Sequence, residues 1–437
     1  MAAAILTFPV GFVAFAQTPR HLDLLVGLTT GTNSAIYVVD SSTGQVRGLL
    51  SGTPGWPVLP RGSGAPLSQS WCSVAVTRDG RIFAGGANNS QPALIRVDPG
   101  TGNRAALSGT WQSPYKEAST VVLRDQTIAI VSGQFTTSNR IGTFHSISLA
   151  SGGVSPLAGG LLSDGPAMST PVSFALCSRD KLVVADFVTS PLSGLATFEV
   201  DLQASSQRLL TTPGNNSLTR YVVSSGAISS DPIALAQFGS GESCNQTSHP
   251  IGVAAGRIYF SAISLVSGSY IGGIVEIDSQ SGNRHLVLGD ALDANGAVVS
   301  AQPTSGLSNY HALPCAFQES PAGELLIGEW DPTSRVVAFD PVSRAARVVA
   351  DFGAYFAPAN APRIRGLAIY TNCPADINLD GVADDADFTR FASAYDILDC
   401  ADAAMPLPCP SDLNADGVVD DLDFQVFVLG YDAMLCE

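Results

Sequence analysis

Charge is scarce in this 437-residue chain: Asp, Glu, Lys and Arg together make up 14% of it, against roughly 25% in ordinary globular proteins. Bases are the scarcer sign, 22 against 38 acids. No basic patch or stripe occurs, which excludes nucleic acid as a partner. Beyond the first residues no apolar run reaches the roughly 20 residues that span a bilayer. There is no Cys-x-x-Cys pair and no His/Cys cluster, so zinc is not the expected metal. At 45% apolar residues, the bulk of the chain has too much to bury to be disordered. The length admits two or three domains, or one large β-domain with a small companion.

The acidity is local. Residues 373–437 hold fifteen acids and only Arg390 as a base, so −14 of the net −16 lies in that tail. The chain opens MAAAILTFPVGFVAFAQTP, an apolar run ending in Ala14-Phe15-Ala16. That small-x-small ending reads as a secretory leader, residues 1–16, cleaved after Ala16. The expected location is therefore secreted, extracellular or at the cell surface, with no membrane span in the mature chain. Eight cysteines fit a compartment where disulfides persist. Four lie in the tail at a thirty-six-residue offset, Cys373 matching Cys409 and Cys400 matching Cys436. Their three possible pairings stay open.

Residues 20–372 repeat one phrase: an apolar strand ending in Asp, a turn with Ser, Thr or Gly, then Arg opening the next strand. The copies run Tyr37–Arg47, Ile95–Arg104, Phe198–Arg208, Val275–Arg284 and Val337–Arg347, with a worn copy at Ser146–Ser155. Upstream of most copies lies another hairpin, such as VAVTRDGRIFAGG or VAAGRIYFSAI. Each unit thus supplies about four short strands joined by Gly/Asp turns. Units recurring at intervals of about fifty to seventy-five residues predict a β-propeller, since a blade buries both faces only between neighbours. Six blades are expected, with five or seven as alternatives. The first unit lacks an inner strand, which Ile364–Thr371 can supply from the far end. The repeated Asp and Arg read as turn and strand-edge residues, Asp being favoured where turns begin.

Loops around the channel at one end of such a ring would gather Trp71, Cys72, Asp186, Cys244, His249, Tyr310, His311, Cys315, Glu329, Trp330 and Asp331. Among these, His249, His311, Asp186 and Glu329 are the catalytic candidates: two imidazoles and two carboxylates can bind a divalent metal or divide acid and base roles. The plainer reading is that they satisfy local hydrogen bonds. Cys72 and Cys315, each eight residues before a turn glycine, occupy matching blade positions. A Cys244–Cys315 bridge between adjacent blades is one candidate disulfide, and nothing nearby favours a reactive thiolate. His145 and His285 fall in strands and read as structural. The domain resembles secreted six-bladed propellers in general, including lactonase and lyase types.

The tail reads DINLDGVADDAD from Asp376 and DLNADGVVDDLD from Asp412. A twelve-residue calcium loop takes oxygen ligands at positions 1, 3, 5, 7, 9 and 12, with glycine at 6 for a sharp turn. The first loop offers Asp376, Asn378, Asp380, the Val382 carbonyl, Asp384 and Asp387. The second offers Asp412, Asn414, Asp416, the Val418 carbonyl, Asp420 and Asp423. Gly381 and Gly417 take position 6. Two Ca2+ ions are therefore expected. After each loop the aromatics fall at helical spacing, Phe388, Phe391 and Tyr395, then Phe424, Phe427 and Tyr431. The two faces can pack into a core that metal and disulfides complete.

With Asp rather than Glu at position 12, no entering helix and two loop-plus-helix repeats, residues 373–437 resemble a type I dockerin. That resemblance implies a tether to a cohesin-like or other extracellular protein, read partly through loop positions 10 and 11, here Asp385-Ala386 and Asp421-Leu422. It also implies an association with polysaccharide breakdown and hence a carbohydrate ligand. The expected fold is mainly β, a six-bladed propeller followed by a small α-helical dockerin-like module. The expected function is a secreted calcium-binding protein whose propeller presents a ligand surface while the tail tethers it. The competing functions are a propeller enzyme with a channel-mouth site (a metal-assisted lyase, lactonase or glycan-cleaving hydrolase) and a protein-interaction propeller.

Overall fold

The computed structural model describes residues 18–436 apart from interspersed segments, the longest being 54–60, 109–119, 158–164 and 243–249. The expected leader, residues 1–16, lies outside the described residues. Six antiparallel sheets follow one another along the chain. Five begin with an innermost strand: Val74–Val76, Val121–Leu123, Pro171–Ser178, Ile251–Ala254 and Leu313–Glu319. The remaining blade takes its innermost strand, Arg363–Ile369, from the far end of the domain. That strand pairs antiparallel with Leu24–Thr29, Val26 lying opposite Leu367. Each innermost strand touches the next around a full circle, so the ring closes at six blades as the repeats predict. The fifth blade adds an outer strand, Val298–Ala301, and two short sheets within residues 165–235 lie outside the blades. Neither addition repeats, and neither is visible in the sequence pattern.

The strands are apolar on both faces because both faces are covered. On Ser34–Val39, Ile36 and Val38 pack toward the second blade, while Ala35, Tyr37 and Val39 pack toward the sixth. Every interface between neighbouring blades carries its own apolar cluster. Burial of this kind contributes roughly 25 cal/mol per Å2 of apolar surface, so the ring is its own core.

The repeated phrase sits between the third and fourth strands of every blade, and its parts divide the work. Each Asp folds its turn: Asp98 Oδ1, for example, accepts the amides of Gly100 at 3.1 Å and Thr101 at 2.7 Å. The arginines do more than edge a strand. Arg104 and Arg284 are buried and reach the preceding blade: Arg104 donates to Ser51 Oγ at 2.7 Å and Gly52 O at 3.0 Å, and Arg284 to Thr212 O at 3.0 Å. The turn glycine also docks on that blade. A Cβ at Gly102 (φ +72°) would stand 2.0 Å from Leu50 O, and one at Gly282 (φ +70°) 2.2 Å from Leu210 O. The phrase is thus an inter-blade clamp as well as a turn.

Gly102→Ala combines positive φ, about 1–3 kcal/mol for a non-glycine residue, with a backbone clash. Urea unfolding should show a larger loss than for Gly323→Ala, where φ is +78° but nothing lies within 4 Å of an added Cβ. The turn carboxyls also predict acid sensitivity. Asp40 and Asp340 are held below the usual range chiefly by the Ser42 and Ser343 hydroxyls, and Asp98 and Asp278 chiefly by the Thr101 and Ser281 amides. A lowered native pKa means that the unfolded chain takes up protons first. The stabilisation is complete above about pH 5 and is lost as pH falls through the native values. Unfolding midpoints should drop between about pH 5 and pH 2, and Asp278→Asn should flatten that slope.

Candidate functional site

Innermost strands run from one end of the ring, the mouth, to the other, the base, and second strands run back. Asp186 and Glu329 lie near the far ends of their second strands, Lys181–Val188 and Leu325–Trp330, and so at the mouth. Both face a proline across the pairing, Pro171 and Pro314, and both are completely buried. Glu329 is committed locally: Arg335 Nε donates to its Oε2 at 3.0 Å. The Tyr310 phenol is pushed well up by burial first and by the Glu329 charge second. His249, His311, Trp71, Cys244 and Asp331 lie outside the described residues.

The thiols are structural. Cys72, just ahead of its innermost strand, and Cys315, within its own, are both buried, and Cys177 and Cys315 carry free thiols. The candidate Cys244–Cys315 bridge is therefore not formed: Cys315 keeps a free thiol whose pKa is raised chiefly by burial. Burial likewise pushes Cys177 to about 11. His145 and His285 lie in the strands Ile141–Ser148 and Arg284–Leu292 as expected, and burial lowers the His145 pKa. One rim feature carried no sequence signal. The Arg363 guanidinium lies 3.7 Å over the Trp330 ring, which has Tyr270 6.4 Å away, so three successive blades contribute to one stack.

The tail forms at the base. Two helices, α1 (Asp385–Tyr395) and α2 (Asp421–Tyr431), each follow one loop, starting two residues ahead of the position-12 aspartates. Phe391 and Phe427 stack at 5.2 Å as the buried centre of the expected core, while Phe388 and Phe424 remain 45% and 40% exposed. Tyr395 Oη donates to Asp421 at 2.6 Å, and Tyr431 Oη donates to Asp385, a reciprocal pair joining each helix to the start of the other. The disulfides are Cys373–Cys436, which ties the ends of the module, and Cys400–Cys409, which closes the segment between the repeats.

The two loops share one hydrogen-bond pattern. Asp376 Oδ1 and Oδ2 accept the amides of Asp380 (3.1 Å) and Gly381 (2.9 Å), and Asp412 accepts those of Asp416 (3.1 Å) and Gly417 (2.9 Å). At position 12, Asp387 accepts from Ile377, Asn378 and Asp384, and Asp423 from Leu413, Asn414 and Asp420. Asn378 and Asn414 each hold the next aspartate in turn. In the first loop one carboxylate oxygen from each of Asp376, Asp380 and Asp387 lies within 4.8 Å of the other two. Asp376 and Asp387 are buried there, and burial raises the Asp387 carboxyl, with the Asp376 charge adding to it. Converging buried carboxylates are costly unless a cation joins them. The donors are all hard oxygen, which suits calcium or magnesium rather than a soft metal.

The base also contacts these loops. His21 Nε2 lies 2.7 Å from Asp376 Oδ2, and Arg78, in the turn between the first two strands of the second blade, donates to the Pro410 carbonyl. A crevice of about 330 Å3 between the domains is lined by Arg78, Thr127, Leu413, Asn414 and Val426 among others. Among the described residues no helix is long and apolar enough to cross a membrane.

No family profile and no curated protein matches the chain. Among solved structures it is similar to a chain of a nidogen/laminin complex, with 11% identity, TM-score 0.40, and 80% of this chain and 98% of that chain covered. It is also similar to a Bacteroides caccae protein of unknown function, with 13% identity, TM-score 0.41, and 80% and 99% covered. A Lactobacillus plantarum protein matches at 10% identity and TM-score 0.38, covering 80% and 99%. At such scores the propeller assignment rests on the strand order itself.

Were Glu329 a free catalytic carboxylate, its removal would leave folding largely intact. As one half of a buried ion pair, its truncation in Glu329→Ala should cost about 3–5 kcal/mol, read as a lowered urea midpoint.

Proposed function

We propose that this is an exported calcium-binding protein in which the propeller presents a ligand surface at its mouth and a dockerin-like tail at the base tethers it to an extracellular partner. The carrying observation is the duplicated loop. All six ligand positions recur, with the same carboxylate-to-amide bonds, and three carboxylates of the first loop converge. Asp376, Asn378, Asp380, Val382, Asp384 and Asp387 would hold one ion, and Asp412, Asn414, Asp416, Val418, Asp420 and Asp423 the other. The ions would neutralise the aspartates gathered in each loop.

Tethering is supported by apolar side chains exposed on the helices: Leu422 and Leu429, 54% and 77% exposed on one face of α2, and Phe388 and Phe424 elsewhere on the module. The tail sits at the base, away from the mouth, where the Tyr270–Trp330–Arg363 stack offers a platform on which a sugar ring could lie. A polysaccharide is the ligand class implied by the likeness to dockerins. The channel-mouth enzyme is disfavoured by the commitment of Glu329 to Arg335.

Calorimetric titration of the chelator-stripped chain with calcium should give two ions per chain. Asp380→Asn and Asp416→Asn should each weaken one site by about ten- to a hundredfold. Saturating calcium at 100 Kd should stabilise the module by about 2.7 kcal/mol per site. A chain that binds no calcium, or a single ion, contradicts this ligand set.

A further inference from the structure

The two loops meet the propeller through different chemistry. At the first, the Asn372 amide donates to His21 Nδ1 at 3.2 Å, and His21 Nε2 lies 2.7 Å from Asp376 Oδ2. That contact sets an imidazole, rather than a guanidinium, against a position-1 carboxylate. At the second, the contact is a cation. The Arg78 guanidinium donates to Pro410 O, two residues before Asp412, and lines the crevice beside Leu413 and Asn414. Burial pulls Arg78 down to about 10, with the Asp412 and Asp423 charges opposing that fall, so at neutral pH it stays charged. Asp412 and Asp423 are the first and last ligand positions of the second loop.

A fixed positive charge beside an anionic cage favours the empty cage and repels an arriving cation, most strongly where water is partly excluded. We infer that Arg78 is a built-in competitor for the second calcium loop: that loop binds calcium more weakly than the first, and filling it loosens the Arg78 contact at the base of the propeller. The inference rests on the calcium reading above and adds an inequality that the near-identical loop sequences do not predict. Coupling between sites is reciprocal, so the affinity Arg78 removes from the ion is the affinity the ion removes from the Arg78 contact. One loop then holds its ion steadily, while the other reports the ambient calcium level to the joint between the domains.

Calcium chloride titrated into the EDTA-stripped full-length chain should show two unequal transitions, the weaker moved to higher calcium in Asp416→Asn and the tighter moved to higher calcium in Asp380→Asn. Arg78→Gln should tighten the weaker transition by at least about fivefold and leave the tighter one in place, whereas Arg78→Lys, which keeps the charge, should stay near wild type. Hydrogen exchange on the wild-type chain supplies a measurement independent of any variant. Protection of residues 77–81 and 409–412 should fall over the calcium range that fills the weaker site. Equal affinities, a weaker transition belonging to the first loop, an Arg78→Gln chain whose second site is unchanged or weaker, or exchange indifferent to the second ion would each overturn the inference. Absence of any calcium uptake would instead remove the calcium reading beneath it, a distinct result because no transition would appear at all.

Discussion

A sheet that is apolar on both faces has to be sandwiched, and this requirement organises the rest of the molecule. Leu24, Leu25 and Val26 are all buried although they point alternately to opposite sides, because a blade stands on each side of theirs. Only a closed ring gives every blade two neighbours. Closure here joins the two ends of the domain in one sheet, and the pairing runs on past the strands, with Leu22 N–H donating to Tyr370 O and Tyr370 N–H to Asp23 O. His21 and Asn372 are thereby brought together at the base. The tail, beginning one residue later, has no option but to pack there.

Within the tail, acidic loop and helix are one device. Asp384, ninth residue of its loop, is also the N-cap of α1, accepting from Ala386 N–H at 2.8 Å. Asp387 occupies position 12 and returns the capping box by accepting from Asp384 N–H at 3.0 Å. The negative residues that would surround an ion therefore also sit at the positive end of a helix dipole. Loop geometry and helix initiation cannot be altered separately. The Tyr395–Asp421 and Tyr431–Asp385 bonds extend that dependence from one repeat to the other.

What could be read in the sequence was whatever repeats. Five copies of the Asp-turn-Arg phrase located the turns between third and fourth strands, and the missing inner strand at the start pointed to Arg363–Ile369 at the end. The twelve-residue loops declared their turn glycines, Gly381 and Gly417, whose φ values are +98° and +97°. Contacts made once were silent. Arg104 and Arg284 look like Arg208 and Arg347 in the repeat, yet the first two are buried clamps and the others are exposed partners of Glu199 and Glu324. His21 and Arg78 are ordinary turn residues until ring closure sets them against the tail, 355 and 332 positions away from their partners. The Trp330–Arg363 stack likewise exists only because the sixth blade meets the first. Long-range pairings of this sort leave no local pattern.

The composite first blade has a consequence for how the chain is made. A polypeptide emerging amino end first presents Leu24–Thr29 early, yet the strand that covers its inner edge arrives more than three hundred residues later. Until then that edge is an open template for pairing with another nascent copy. Its guardian is the last strand of the ring to be translated, immediately ahead of the acidic segment, whose net charge of −14 keeps like chains apart just as the seam is being sealed.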